Sequence, residues 1–208
     1  MHHHHSASRG GKIAFSAFQS RVTEEYRRMR ANFATIVAAD HRIDCMGVDP
    51  FVKQLISSHG LDQRQAFTAR LLIKGETGRC HRVTAIIVAA RLCHNDADRI
   101  TLREITMQAA EERTRCLLVP QHSLLVPRRL GSAHLLASSR DITCTQSERL
   151  AVLEHAAEHG WSTLGDCSSV LQGHADPVGA VLGLVARGAL RIDRNRRLGP
   201  HSRIDVAA

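Results

Sequence analysis

The clearest hydrophobic pattern lies in the C-terminal part of the chain, over residues 146–206. Ser147 precedes a run whose apolar residues share one helical face and which Gly160 ends: Leu150, Leu153 and Ala157. Thr163 begins a second, shorter run with apolar residues at helical spacing: Leu164, Cys167 and Leu171. Asp176-Pro177 is a typical N-cap with proline at the first helical position. Apolar residues follow it at i, i+3, i+4 and i+7: Val178, Val181, Leu182 and Val185.

These three predicted helices are followed by a predicted β-ribbon. Gly188 stands where a helix commonly ends in a left-handed residue. Beyond it, apolar residues alternate as in strands, at Leu190 and Ile192 and again at Ile204 and Val206. Three helices and a ribbon are the layout of a winged helix-turn-helix domain, which we predict for residues 146–208. Trp161 is expected to anchor its core.

The preceding part of the chain reads as an α/β (α+β) domain over residues 12–127. Apolar positions recur every three or four residues between 19 and 38, which predicts a long amphipathic helix, and Asp49-Pro50 begins a second short segment. Apolar runs predict strands at 71–73, 83–90, about 100–107 and 117–119, with a helix over 107–115. The expected core is therefore a mixed sheet flanked by helices. Residues 1–11 are expected to be disordered or tag-like, and residues 128–145 to be a connector.

Composition narrows the class of partner. The chain has 208 residues, 43% of them hydrophobic, and a net charge of +8. Such a charge favours a polyanion, and double-stranded DNA before membrane, because neutralised phosphates release counterions. No stretch approaches the roughly 20 apolar residues of a membrane span, so we expect a cytoplasmic, nucleoid-associated protein. Six scattered cysteines without a CxxC pair favour reduced thiols over a disulfide framework or a zinc site.

Several segments together resemble the TnsA-type transposon endonuclease family. They are the predicted first helix with Glu24 and Glu25, the step Asp49-Pro50-Phe51-Val52, and the runs 82–88 and 103–106. The resemblance implies a restriction-endonuclease-like core followed by a winged helix, acting beside a transposase. In such a core, carboxylates on adjacent strands hold Mg²⁺, and a lysine faces the attacking water and the scissile phosphate.

The same resemblance implies that the active site is degenerate. Thr84-Ala85 stands where the family has its PD dipeptide, and Glu104-Ile105-Thr106 stands where it has ExK. Alanine offers no oxygen to a metal, and threonine supplies no cation. We therefore expect an inactive nuclease fold without a metal or other cofactor. The relic positions are Glu24, Glu25, Ala85, Glu104 and Thr106. The alternative is an active Mg²⁺-dependent endonuclease with a rearranged site, in which Glu24 or Glu25, Glu104 and one aspartate converge on one metal ion. Asp96 and Asp98, expected in the turn between strands, are the candidate aspartates.

The predicted winged domain supplies the candidate DNA contacts. Arginines of the ribbon and its tip suit phosphates: Arg191, Arg194, Arg196, Arg197 and Arg203. On the predicted recognition helix the outward positions are Gly179, Ala180, Gly183, Leu184 and Arg187, of which Arg187 alone can make a bidentate base contact. We therefore expect weakly specific DNA binding through the ribbon and contact with proteins of a transposition complex through the helix. A winged-helix transcription regulator is the remaining alternative.

Overall fold

The computed structural model describes residues 9–75, 77–158 and 161–207, with side chains from Arg21 onward. The first helix, α1, spans Arg9–Ala38. It begins ten residues before the predicted start, so residues 9–11 form its first turn. The rest of the predicted N-terminal tail, residues 1–8, lies outside the described residues.

A four-stranded mixed sheet forms the first layer, as predicted. Its strands are β1 (Ile43–Gly47), β2 (Ala66–Lys74), β3 (Cys80–Val88) and β4 (Cys116–Pro120), in the order β1-β2-β3-β4. The first three strands are antiparallel, and β4 runs parallel to β3. β1 escaped prediction because its residues alternate poorly: Met46 is 60% exposed, and the strand lies at the edge of the sheet.

Helices cover both faces of this sheet. Ile86 and Val88 of β3 face one core, which includes buried residues of α2 (Pro50–Ser58) and α4 (Asp96–Glu111). Ala85 and Ile87, which alternate with them along β3, face the opposite core together with Met29 of α1. The short helices α3 (Ala90–His94) and α5 (Gln121–Leu124) flank the ends of β3 and β4. α1 and α4 therefore lie on opposite faces of the sheet, which bears directly on the predicted site.

The strand predicted at about 100–107 is wrong, because these residues belong to α4. The Asn95 side chain accepts a hydrogen bond from Ala97 N and caps the helix, and Asp96 and Asp98 occupy its first turn, where carboxylates complement the helix dipole. The buried residues of α4 follow a helical period: Leu102, Ile105 and Ala109. Asp96 and Asp98 are therefore helical and not in a turn between strands.

The described residues of the C-terminal part, from Pro127 onward, form four helices and a three-stranded antiparallel sheet. Its helices are α6 (Pro127–Ser139), α7 (Gln146–Glu158), α8 (Leu164–Ser169) and α9 (Pro177–Ala186). Its strands are β5 (Ser162–Thr163), β6 (Leu190–Ile192) and β7 (Arg203–Val206), in the order β5-β7-β6. Three of the predicted start and stop signals are confirmed: Thr163 forms a capping box, Asp176 caps α9, and Gly188 has φ +83°. The predicted start at Ser147 is wrong, because α7 begins at Gln146 and Thr145 exchanges the capping hydrogen bonds with Glu148. Gly160, the predicted end of that helix, lies outside the described residues.

The core of this part forms around α9. Every residue from Gly179 to Ala186 is buried, and α9 packs against α6 and α8. Four predicted core positions are wrong, because Leu150, Trp161 and Val178 are each about half exposed and Ala157 is exposed as well. α7 instead buries Val152 and Ala156, which lie four residues apart and so share one helical face.

Candidate nucleic-acid interface

Among the described residues, the hairpin formed by β6, β7 and their connection carries four exposed arginines: Arg191, Arg196, Arg197 and Arg203. Arg196 and Arg203 are exposed, and each forms an ion pair within the hairpin, with Asp193 at 3.3 Å and with Asp205 at 3.0 Å. Arg197 is exposed beside them and lines a shallow groove together with His201. Exposed pairs of this kind contribute little to stability, so the arginines are free to exchange their carboxylate partners for phosphates.

Two polar contacts anchor this hairpin to the rest of the protein. The buried Ser132 of α6 donates from Oγ to the carbonyl oxygen of Arg196 at 2.8 Å. Arg194 Nη1 lies 3.2 Å from Asp40 Oδ2, just beyond the end of α1. Ser132 therefore holds the hairpin backbone at Arg196, and Asp40 holds the Arg194 side chain, so two contacts limit the movement of the hairpin relative to α1 and α6.

Asp40 is the acidic partner at this anchor. Its burial alone would raise the pKa of the carboxyl, but hydrogen bonds from Arg42 and the charges of Arg194 and Arg42 outweigh that effect and lower the pKa to about 2. The closest of these contacts is 2.9 Å, from Arg42 Nη2. Asp40 is therefore ionised at neutral pH and holds two arginines at the end of α1.

The N-terminus of α6 adjoins the hairpin. Pro127 occupies its first turn, and Val126, the N-cap residue, makes no side-chain capping bond. Arg128 of this turn and Arg197 of the hairpin line one groove. A helix N-terminus attracts anions through its free N–H groups and its dipole. We call the exposed set the hairpin surface, and it consists of Arg128, Arg196, Arg197, His201 and Arg203.

The predicted outward face of α9 is wrong, since Gly179, Ala180, Gly183 and Leu184 are all buried. α9 is therefore unavailable as a partner-binding or base-reading helix along this face. Arg187 is engaged within the protein: its Nη1 donates to the carbonyl oxygens of Arg140 at 2.7 Å and Ile142 at 3.0 Å. Arg194 is likewise engaged with Asp40, and Arg191 lies on the inner side of the hairpin.

The structure does not bring the relic positions of the predicted active site together. Glu24 is exposed on α1 and pairs with Arg27 at 3.5 Å and with Arg28 at 3.9 Å. The neighbouring relic residue, Glu25, is on the same helix. Ala85 is fully buried in β3, between Ala69 of β2 and Leu117 of β4.

The other two relic positions lie on the far side of the sheet. Glu104 and Thr106 belong to α4, and Thr106 Oγ1 donates to Arg103 O at 2.8 Å. Within the described ranges, no three His, Cys, Asp or Glu side chains are placed to hold a metal ion. Glu104 therefore does not converge with Glu24 or Glu25, as the predicted active endonuclease would require.

The sequence did not predict that Asp49 is buried and joins α2 to two strands by hydrogen bonds. Asp49 is the one buried carboxylate among the described residues. Its Oδ2 accepts from Thr84 Oγ1 at 2.7 Å, its Oδ1 accepts from Val52 N at 3.1 Å, and its carbonyl oxygen accepts from Thr68 Oγ1 at 3.2 Å. These bonds cap α2 and fasten it to β2 and β3. The sequence signal for this role is Asp49-Pro50, a pair of residues typical of a helix start.

Two further findings concern membrane-spanning helices and similarity to known proteins. Across the residues that the structure describes, no helix has the length and apolar character needed to cross a membrane. Comparison of the chain with protein-family models, with curated proteins and with solved structures finds no match.

Proposed function

We propose that this protein binds double-stranded DNA through the phosphate backbone, using the hairpin surface. The observation that carries the proposal is the anchored hairpin: Ser132 holds its backbone and Asp40 holds the Arg194 side chain, while Arg196, Arg197 and Arg203 remain exposed. Preorganised arginines lose less conformational entropy when they meet a phosphate. The net charge of +8 supports a polyanionic partner.

We further propose that the protein is an inactive relative of the TnsA-type endonucleases that acts with a transposase or other transposition proteins. The mixed four-stranded sheet, followed by a small antiparallel sheet, supports this proposal. β2, β3 and β4 contain no Asp or Glu, whereas a two-strand Mg²⁺ site needs carboxylates there. Their apolar side chains serve the two cores instead.

The buried α9 favours DNA contact that is weakly specific. Base sequence is read by long polar side chains reaching groove edges from an exposed helix or ribbon. Here the helix that follows the Asp176 cap is buried from Gly179 to Ala186, and the exposed Arg196 and Arg197 belong to the loop between β6 and β7. A sequence-specific regulator would need a base-reading element elsewhere on the surface, so phosphate contact is the better-supported function.

Salt-dependent binding to a duplex of arbitrary sequence tests the DNA proposal. Replacing Arg196, Arg197 and Arg203 with glutamine should lower affinity and reduce the slope of log K against log salt by about 0.9 per lost phosphate contact. The matched control replaces Arg64, Arg99 and Arg103, three exposed arginines outside the hairpin surface, and so removes the same net charge. Equal slopes for the two triple variants would remove the hairpin from the interface.

A cleavage assay tests the inactive-nuclease part separately. We expect supercoiled plasmid to remain uncut with Mg²⁺ or Mn²⁺ in buffers in which the protein binds it. Cutting that is absent from Glu104→Ala, with duplex binding retained, would establish an active endonuclease. Because binding and cutting are read in the same buffers, loss of one proposal leaves the other standing.

A further inference from the structure

A second basic feature lies on the inner side of the hairpin. It is a cavity of about 680 Å³ bounded by the end of α1, the end of β2, α6 and β6. Five basic side chains line it: Arg42, Lys74, Arg129, Arg191 and Arg194. None of them belongs to the hairpin surface as defined above.

The cavity has a surplus of positive charge. Against the five cations stand the lining carboxylates Asp40 and Asp193 and, beside the cavity, Asp44, which pairs with Lys74 at 3.1 Å, so that a surplus of two remains. Asp40 is already held by Arg42 and Arg194, and Asp193 by Arg196. Arg129 of α6 and Arg191 of β6 pair with no carboxylate in the described part of the chain. A site with uncompensated guanidinium groups is suited to phosphate, which they bind through paired hydrogen bonds.

The remaining walls are apolar. They are formed by side chains of α1, α6 and β6: Ile36, Ala133, Leu136, Leu190 and Ile192. His41 closes one end, with its ring against Gly188, and burial lowers the pKa of the imidazole, so this ring adds no charge at neutral pH. Cavities that hold small ligands span roughly 300–1,000 Å³ and combine apolar walls with a few polar groups. A duplex does not fit in such a volume.

We infer that this cavity binds a small phosphorylated molecule. Its phosphate lies on Arg129 and Arg191, and its body rests against the partly exposed side chains of Ile36 and Ile192. The inference goes beyond DNA binding, since it assigns a different ligand and different arginines to the inner side of the hairpin. Because the cavity walls come from both sheet-bearing parts of the chain, the ligand would tie the hairpin to the α/β layer.

Calorimetric titration and thermal melting with pyrophosphate and with glucose 6-phosphate test the inference. A ligand at about a hundred times its dissociation constant should raise the melting midpoint by several degrees. The double variant Arg129→Gln, Arg191→Gln should bind the better probe at least tenfold more weakly. The matched control, Arg128→Gln with Arg197→Gln, removes two arginines from the outer groove and should bind that probe as the wild type does. Melting without ligand confirms that both variants fold.

Three results would overturn the inference. The first is no binding of either probe at 10 mM, on the order of a hundredfold above a typical Michaelis constant. The second is equal loss of binding in the two double variants, which would reduce the effect to net charge. The third is competition by a short duplex together with weakened duplex binding in the Arg129→Gln, Arg191→Gln variant, which would assign the phosphate to the DNA backbone. The hairpin-surface variants test DNA binding independently, so the two proposals can fail separately.

Discussion

Replacing Arg187 with alanine distinguishes a base-reading arginine from a structural one. The sequence marks Arg187 as the single base-contacting side chain of a recognition helix, whereas the structure engages its guanidinium with two carbonyl oxygens of the segment after α6. Arg140 is the C-cap residue of α6, where backbone carbonyls lack helical partners. Arg187 therefore fastens the end of α9 to the end of α6, and its loss should destabilise the fold.

The expected magnitude follows from the two hydrogen bonds. A hydrogen bond to a charged group contributes about 1.5–3 kcal/mol when protected from water. Arg187 is exposed, so water replaces part of each bond, and we expect a loss of about 2 kcal/mol in total. For a chain of this length, that corresponds to a fall in melting midpoint of about 4–8 °C. Urea unfolding at neutral pH gives the free-energy difference directly.

Two controls and a DNA measurement complete the test. Arg187→Lys keeps the charge but not the forked geometry, so it should recover part of the loss. Arg197→Ala removes an exposed arginine of the hairpin surface and should change stability by less than about 0.5 kcal/mol. Well below its melting point, the Arg187→Ala variant should bind duplex DNA with an unchanged salt slope. Unchanged stability combined with a selective loss of affinity for one DNA sequence would refute this reasoning.

Two further predictions concern stability. Gly183→Ala should lower the free energy of unfolding in urea by about 1–3 kcal/mol, because an added Cβ would lie 2.6 Å from the carbonyl oxygen of Ile142 and 2.8 Å from that of Ser139. In the control Gly131→Ala, in α6, the added Cβ meets no atom within 4 Å, so this variant should stabilise the protein by up to about 1 kcal/mol. A variant at Gly183 that is more stable than the one at Gly131 would contradict the packing. For Asp40, the folded-state pKa of about 2 lies below the ordinary 3.8, so its stabilising effect is complete above the unfolded-state pKa and is lost as pH falls through about 2. Asp40→Asn should therefore lower the free energy of unfolding by about 1 kcal/mol at pH 6. The difference from the wild type should shrink towards pH 2, and a difference that does not change with pH would refute the role given to the Asp40 carboxylate.

Local signals predicted the C-terminal elements well because capping is a short-range effect. Asp176 and Thr163 accept hydrogen bonds from backbone groups three residues ahead, so the sequence alone places the starts of α9 and α8. Which face each helix buries is decided by its neighbours. Trp161 is 59% exposed although tryptophan usually belongs to a core, and α9 is buried on all sides because α6 also packs against it. No local pattern in residues 177–186 contains that information.

The site failed for a related reason. Ile100, Leu102 and Met107 predict a strand around Glu104, yet Ile100 and Met107 are each more than half exposed on α4. The Asn95 cap and the period of Leu102, Ile105 and Ala109 were the better signals, and they place Glu104 on the face of the sheet opposite to α1. Because the segment forms a helix and not the predicted strand, Glu104 lies across the sheet from Glu24 and Glu25 of α1.

The hairpin gives the two proposed ligands a physical reason to affect each other. Its outer side carries Arg196 and Arg197, and its inner side carries Arg191 and Arg194 in the cavity wall. A ligand that holds Arg191 against α6 would restrict the same backbone that positions the outer arginines, and DNA would then lose less conformational freedom on binding. Linkage requires the effect to be reciprocal: if pyrophosphate raises duplex affinity by some factor, the duplex must raise pyrophosphate affinity by the same factor. Binding of both ligands without mutual effect would mean that the Ser132 and Asp40 anchors already hold the hairpin in its binding position, and that the cavity serves a purpose unrelated to DNA.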